Sequence, residues 1–153
     1  MANTFSQVYL QFVFAVKNRQ SLIPKEHKEE LHKYITGLVR NRNAKLLTIH
    51  CMPDHTHLFV GFSPNVLISG FIKEIKVESN EFINGKKWLK GKFSWQEGYG
   101  VFSYSQSHID QVIKYILNQE KRHQKKSFRQ EYHEFLEKFQ ISFEEKYLFE
   151  FFE

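Results

Sequence analysis

Apolar and polar residues alternate with period two over residues 5–16: Val8, Leu10, Phe12, Phe14 and Val16 fall on one side, Gln7, Tyr9 and Gln11 on the other. Successive strand side chains point to opposite faces, so this stretch is predicted to be a half-buried β-strand. The period then changes. Over residues 25–42, Leu31, Ile35, Leu38 and Val39 recur at helical spacing with charges opposite, and Pro24 stands where a first helical turn accepts proline. Asn41 and Asn43 mark the end of that helix. Residues 45–51 and 55–62 return to strand patterning on either side of the turn signal Pro53-Asp54, close enough to form an antiparallel hairpin. A second helix is predicted over 66–84, with Ile68, Phe71, Ile72, Ile75 and Phe82 in a stripe and Gly85 as its stop. Residues 93–104 read as a fourth strand interrupted by Gly98 and Gly100. A third helix runs over 107–123, with Ser107 as candidate N-cap and Ile109, Val112, Ile113 and Ile116 as its apolar face. A fourth covers 128–139, with Phe128, Tyr132, Phe135, Leu136 and Phe139 inward. The order strand, helix, strand, strand, helix, strand predicts one α+β domain over residues 1–153. Its expected form is a ferredoxin-like antiparallel sheet with helices on one face, followed by a C-terminal helix and tail.

Composition narrows the class. With 153 residues, 41% hydrophobic and 16% aromatic, the chain has the apolar content of a folded domain and not of a disordered one. Cys51 stands alone, so neither a disulfide framework nor a multi-cysteine zinc site is expected. The sequence has no apolar run long enough to span a membrane, and Met1-Ala2-Asn3-Thr4-Phe5-Ser6 lacks the build of a signal peptide. The expectation is a soluble, cytoplasmic protein without a membrane partner. Charge adds more. Residues 1–129 carry 20 Lys and Arg against 10 Asp and Glu, a net +10, whereas residues 130–153 carry 2 against 7, a net −5. A basic body is the footprint of a polyanion binder, although an ordinary solvated surface has the same count. The acidic, aromatic end suggests packing on the body or on a partner.

Two places carry candidate chemistry. His55-Thr56-His57 puts two imidazoles on one face of a strand, opposite Leu58, Val60 and Phe62 and so away from the expected core. The pair could share a metal ion, with Asp54 orienting a ligand from behind; two exposed histidines on a strand are the plain alternative. Imidazole suits Zn, Mn, Fe, Ni or Cu, and an oxygen-rich completion shifts the preference toward Mg or Mn. Tyr115 and Gln119 lie one turn apart on the third helix, off its apolar stripe and near Lys114, Lys121 and Arg122. A phenol there can serve as a nucleophile and Gln119 can offer a third ligand oxygen, or Tyr115 is a core-margin residue with a solvated hydroxyl.

In combination these segments resemble a known family. Cys51-Met52-Pro53-Asp54-His55-Thr56-His57-Leu58 resembles the histidine–hydrophobe–histidine (HUH) motif, and Tyr115-Ile116-Leu117-Asn118-Gln119 resembles the accompanying Tyr-x-x-x-Gln segment. Together they look like a single-tyrosine HUH transposase of the insertion sequence 200/605 family, including its relatives that act on repetitive extragenic palindromes. The likeness extends to Lys17-Asn18-Arg19 after the first strand, to Trp95-Gln96-Glu97-Gly98-Tyr99-Gly100, to Ser127-Phe128 through Glu131-Tyr132, and to Phe143-Glu144-Glu145-Lys146-Tyr147-Leu148. One residue departs from the pattern: Thr56 replaces a large hydrophobe and points toward the core, so it bears on packing and not on the ligands.

The resemblance implies Mg²⁺ or Mn²⁺ held by His55, His57 and Gln119, and attack by Tyr115 on single-stranded DNA to give a 5′-phosphotyrosine link and a free 3′-hydroxyl. It implies no nucleotide cofactor, recognition of DNA hairpins at element ends, and a homodimer in which the tyrosine helix can complete the partner's site in trans. Lys86, Lys87, Lys90 and Lys92 with Trp88 then become a candidate hairpin-binding loop, extended by Lys73 and Lys76. Lys121, Arg122, Lys125 and Lys126 continue the charge past the tyrosine helix. Trp88 as a packing anchor and the lysines as a solvated face are the competing assignments. Two other functions fit fewer of these features: a domesticated, non-enzymatic DNA or RNA hairpin-binding module, and a small metal-dependent hydrolase using water.

Overall fold

The structure is a computed structural model and describes residues 4–17 and 22–152. Strand β1 (Val8–Ala15) is followed by α1 (Lys28–Arg40), the hairpin β2 (Ala44–Cys51) and β3 (His55–Phe62), then α2 (Ile68–Lys86) and β4 (Gly100–Tyr104). Beyond them lie α3 (Ile109–Leu117), the short α4 (Gln119–Arg122) and α5 (Phe128–Lys138). The strands form a four-stranded sheet in the order β2-β3-β1-β4, every pair antiparallel. This is the expected α+β, ferredoxin-like arrangement. Asn18 and Arg19, part of the segment likened to the family's opening, lie outside the described residues.

The pleat divides the sheet into two differently furnished faces. Leu10, Phe12, Phe14 and Val16 of β1 join Ile49, Leu58, Val60 and Phe62 beneath α1 and α2, which contribute Leu31, Ile35, Val39, Phe71, Ile72 and Ile75. Thr56 belongs to this side by register, opposite Cys51, and is fully buried. The other face carries Gln11, Val13, Ala15, His55, His57 and Phe59. It was expected to stay open at the histidines. Instead α3 covers it through Val112 and Ile116, and α5 through Phe128, Tyr132, Phe135 and Leu136. His55 and His57 are therefore completely buried. The helices thus lie on both faces, because α5 presents an aromatic stripe long enough to roof the second face of the sheet. At its start, Ser127 accepts from the Gln130 backbone N–H while the Gln130 side chain accepts from that of Ser127.

Several boundaries differ from their expected places. Helix α2 runs through Gly85 and stops at Lys87, whose φ of 56° provides the left-handed cap. Asn84 then fastens the following loop by accepting from the Phe93 N–H at 2.7 Å and donating to its carbonyl at 3.0 Å. Ser107 does not cap the third helix: a 3₁₀ turn over Gln106–His108 leads into it, and the helix breaks at Asn118. The expected fourth strand is split by Gly98, whose φ of +82° favours glycine, so that Trp95 bridges Val16 before β4 begins. Gln96 holds the C-terminal segment by donating to the Glu150 carbonyl at 2.8 Å and accepting from the Glu150 N–H at 2.7 Å. Phe149 and Phe151 then pack against Phe128 and Tyr132. The acidic tail thus docks on its own chain.

Candidate active site

Between the second face of the sheet and α3–α5 lies a buried polar cluster: Gln11 of β1, His55 and His57 of β3, Gln119 of α4 and Glu131 of α5. Strand alternation places the two imidazoles together, with centroids 5.2 Å apart. The turn at Asn118 carries Gln119 inward until it has no exposed surface. The His55 ring stacks on Phe128 at 3.9 Å.

The hydrogen bonds fix both tautomers. His55 Nδ1–H donates to Asp54 Oδ1 at 2.7 Å, since a carboxylate can only accept. His57 Nδ1–H donates to Gln11 Oε1 at 2.7 Å, while Gln11 Nε2 donates to the Tyr104 hydroxyl at 3.0 Å. In the neutral imidazoles each Nε2 then presents a lone pair. His55 Nε2 lies 3.1 Å from Gln119 Oε1 and 3.6 Å from Glu131 Oε1; His57 Nε2 lies 3.2 Å from Glu131 Oε1. Acceptors face acceptors around one point.

Charge follows the same geometry. Burial lowers the His57 pKa against the pull of Glu131, so its neutral form is favoured. Burial also works against the ionised form of Glu131; the pull of His57, when that ring carries a proton, and the hydrogen bond from His123 outweigh it and hold the carboxyl below the usual range. Asp54 likewise stays below its ordinary value, its hydrogen bond from His55 overcoming partial burial. The Tyr115 phenol is raised above its ordinary value by burial and by Glu131 beside it. It is therefore a neutral O–H donor, and its acceptor is Glu131 Oε2.

This arrangement fits a divalent cation. One nitrogen each from His55 and His57 and one oxygen of Glu131 lie within 4.8 Å of one another. The lone pairs of two oriented imidazoles and an anionic oxygen converge without enough protons between them, which a cation would resolve. Gln119 Oε1 borders the same point.

His55, His57, Tyr115, Gln119 and Asp54 thus meet in one place. Glu131 was assigned no role from the sequence, nor were Gln11 and His123, whose Nε2 lies 2.9 Å from Gln119 Oε1 and 3.3 Å from Glu131 Oε1. The likeness of Ser127-Phe128 through Glu131-Tyr132 covers Glu131 without giving it a role, and no motif points to Gln11 or His123. A glutamate on the inward face of an otherwise aromatic helix, between Phe128 and Phe135, is the further signal for Glu131. Arg122 lies with its Cζ 4.2 Å from the Tyr115 ring centroid, and Lys121 is exposed beside it. A cavity of about 320 Å³ bordered by Gln11, Gln111, Tyr115, Arg122 and Glu131 opens next to the phenol.

The remaining candidate DNA-binding residues lie across the sheet. Lys73, Lys87 and Lys90 are exposed on or after α2, and Lys92 is exposed as well. Lys86 pairs with Glu30 at 2.6 Å. Lys76 donates to the Gln96 and Gly98 carbonyls at 2.7 and 2.8 Å, bracing that loop. Trp88 stacks on His27 with centroids 4.4 Å apart and meets Phe82 edge-on, so its ring has packing partners. Among the described residues, no helix is long and apolar enough to cross a membrane.

Comparison with known proteins bears on the whole assembly. Residues 4–119 match the family described as "Transposase IS200 like". The chain is 26% identical over 118 residues to the ISDra2 transposase TnpA of Deinococcus radiodurans, covering 74% of this chain and 84% of that one. It is 24% identical over 128 residues to the transposase for insertion sequence element IS200 of Salmonella typhimurium, covering 79% and 84%. A crystal structure from Deinococcus radiodurans superposes with a TM-score of 0.61 at 23% identity, over 76% of this chain and 94% of that one. A REP-associated tyrosine transposase bound to a REP hairpin superposes with a TM-score of 0.60 at 18% identity, over 79% and 72%. These likenesses support the fold, and Glu131 lies beyond the matched residues 4–119.

Proposed function

The chain belongs to the family of IS200-like transposases, and from that premise we propose that it nicks and rejoins single-stranded DNA through a covalent link to Tyr115. The observation that carries this reading is the meeting of the Tyr115 hydroxyl with the His55–His57 pair on one carboxylate, Glu131.

His55, His57 and Gln119 would hold Mg²⁺ or Mn²⁺. When bound, that ion supplies Lewis-acid polarisation of the scissile phosphate. Asp54 and Gln11 keep the imidazole lone pairs directed at the site. Tyr115 Oη bonds to phosphorus as the bond from phosphorus to the 3′ oxygen breaks. The phenol loses one proton and the departing 3′ oxygen gains one, so the step balances without hydrolysis. The product is a 5′-phosphotyrosine, and attack by another 3′-hydroxyl reverses the chemistry to join strands. The ester bond is exchanged and not spent, so no nucleotide cofactor is required. Arg122, over the Tyr115 ring, and its exposed neighbour in the chain, Lys121, suit the backbone of the cut strand. Lys73, Lys86, Lys87, Lys90 and Lys92 suit a hairpin stem or its loop on the opposite side, with Lys76 and Trp88 supporting that surface.

Each chain carries one Tyr115, so exchanging two DNA ends calls for two copies, and a homodimer is the working form in this account. Within such a dimer the tyrosine helix can serve its own site or complete the partner's in trans. The test is incubation of hairpin-bearing single-stranded DNA with Mn²⁺, followed by a denaturing gel. The wild-type protein should give a protein–DNA adduct that chelator abolishes and Tyr115→Phe cannot form. Adduct formation by Tyr115→Phe would remove Tyr115 from its assigned role. Hairpin binding with no adduct under any of these conditions would favour a binding module.

A further inference from the structure

We propose that Glu131 is both a metal ligand and the anchor of the nucleophile, so that one carboxylate on α5 ties the ion to Tyr115; this rests on the metal-dependent reading above. The two oxygens divide the work. Oε1 faces His57 Nε2 at 3.2 Å and His55 Nε2 at 3.6 Å. Oε2 accepts from the Tyr115 hydroxyl and from Gln119 Nε2, the latter at 2.8 Å. The side chain is 3% exposed, so these protein groups are its main surroundings.

A single carboxylate–imidazole bond does not account for this placement, because Glu131 Oε1 faces both rings and Gln119 Oε1 faces His55 as well. The Nδ1 atoms of both rings point away from this place, to Asp54 and to Gln11. The His123 Nε2–H is shared between Gln119 Oε1 at 2.9 Å and Glu131 Oε1 at 3.3 Å. His55 Nε2, His57 Nε2, Gln119 Oε1 and Glu131 Oε1 thus surround one point. A divalent cation satisfies all four. An anionic oxygen beside the Gln119 amide oxygen also moves a two-imidazole site toward the harder ions Mg²⁺ and Mn²⁺. With Oε1 on the ion, Oε2 remains on the phenol, and the Tyr115 hydroxyl is held next to the phosphate-activating group. The segment after residue 119 thereby becomes part of the active centre. It would otherwise count as packing alone.

The test is Mn²⁺ binding by the full chain without DNA, followed by the electron paramagnetic resonance signal of the free ion. Wild type, Glu131→Gln and His57→Ala are compared, with circular dichroism to check folding. Glu131→Gln keeps the size but removes the charge and replaces one acceptor oxygen by an NH₂ donor. Its affinity is expected to fall tenfold or more, as that of His57→Ala should. Wild-type affinity in Glu131→Gln, with affinity lost in His57→Ala, overturns this inference while leaving the metal reading standing. A wild type that binds no Mn²⁺ overturns both. If Glu131→Gln does not fold, the wild-type protein labelled with ¹³C-glutamate decides. Its bound Mn²⁺ should display a ¹³C coupling from a ligated carboxylate by electron–nuclear double resonance, and absence of that coupling overturns the inference.

Discussion

Thr56 sits between the two histidines and faces the opposite way, into the core under α1 and α2. Its Oγ1 makes no hydrogen bond of standard geometry, and the Cys51 thiol across the hairpin is the polar group that interacts with it. The same dry setting pushes that thiol up to about 12, so Cys51 serves as filling and not as a nucleophile. Thr56→Val removes a poorly satisfied hydroxyl at nearly constant shape. It is expected to leave stability unchanged or raise it by about 1 kcal/mol, read as an equal or higher Tm; a clear drop would mean that the hydroxyl has a partner. Strand alternation alone had placed Thr56 inward and the imidazoles together, and the Asp54 contact followed from adjacency. Glu131 was hidden for the opposite reason. It is 74 residues from His57, and its approach depends on how α5 crosses the sheet, which no local period records.

Among elements, the legible features were those governed by a short repeat. The four strands, both crossover helices and the hairpin lie close to their expected positions because hydrophobic burial enforces periods of two and 3.6. Ends were harder. Gly85 reads as a stop, yet the helix continues because Ile83 is buried and Lys87 can adopt the left-handed cap. The covering of the second sheet face was also unreadable, since an aromatic stripe on α5 says that the helix is buried without saying against what. The start of α5 sets where Glu131 enters the site. Losing the Ser127 cap in Ser127→Ala should cost about 1 kcal/mol, seen as a lower Tm. On the present account it also weakens Mn²⁺ binding, because the first turn carries Glu131. A lower Tm with unchanged Mn²⁺ affinity would separate the cap from the site.

At the scale of the whole molecule, the charge division has a different meaning from the one its totals suggest. The +10 part of the chain places Arg122 at the site and exposed lysines on and after α2, across the sheet. The −5 part folds back on it, held by Gln96 and by Phe149 and Phe151, and delivers the one buried carboxylate of the cluster at Glu131. Packing on the body was one of the two roles open to that segment from its composition; supplying a group to the active centre was not foreseen. If Lys121 touches the DNA backbone beside Tyr115, Lys121→Ala should make the dependence of log K on log salt shallower by about 0.7 for a single strand, measured by fluorescence anisotropy. An unchanged slope would place the strand elsewhere.

The central claim is that Tyr115 becomes covalently joined to DNA, and mass spectrometry of the trapped adduct tests it most directly. Trypsin cuts after Lys114 and Lys121, so the nucleophile lies at the start of the peptide spanning residues 115–121. After nuclease trimming, that peptide should carry a nucleotide joined to Tyr115 through its 5′-phosphate. A nucleotide on any other residue, or a 3′-phosphate linkage, would contradict the account.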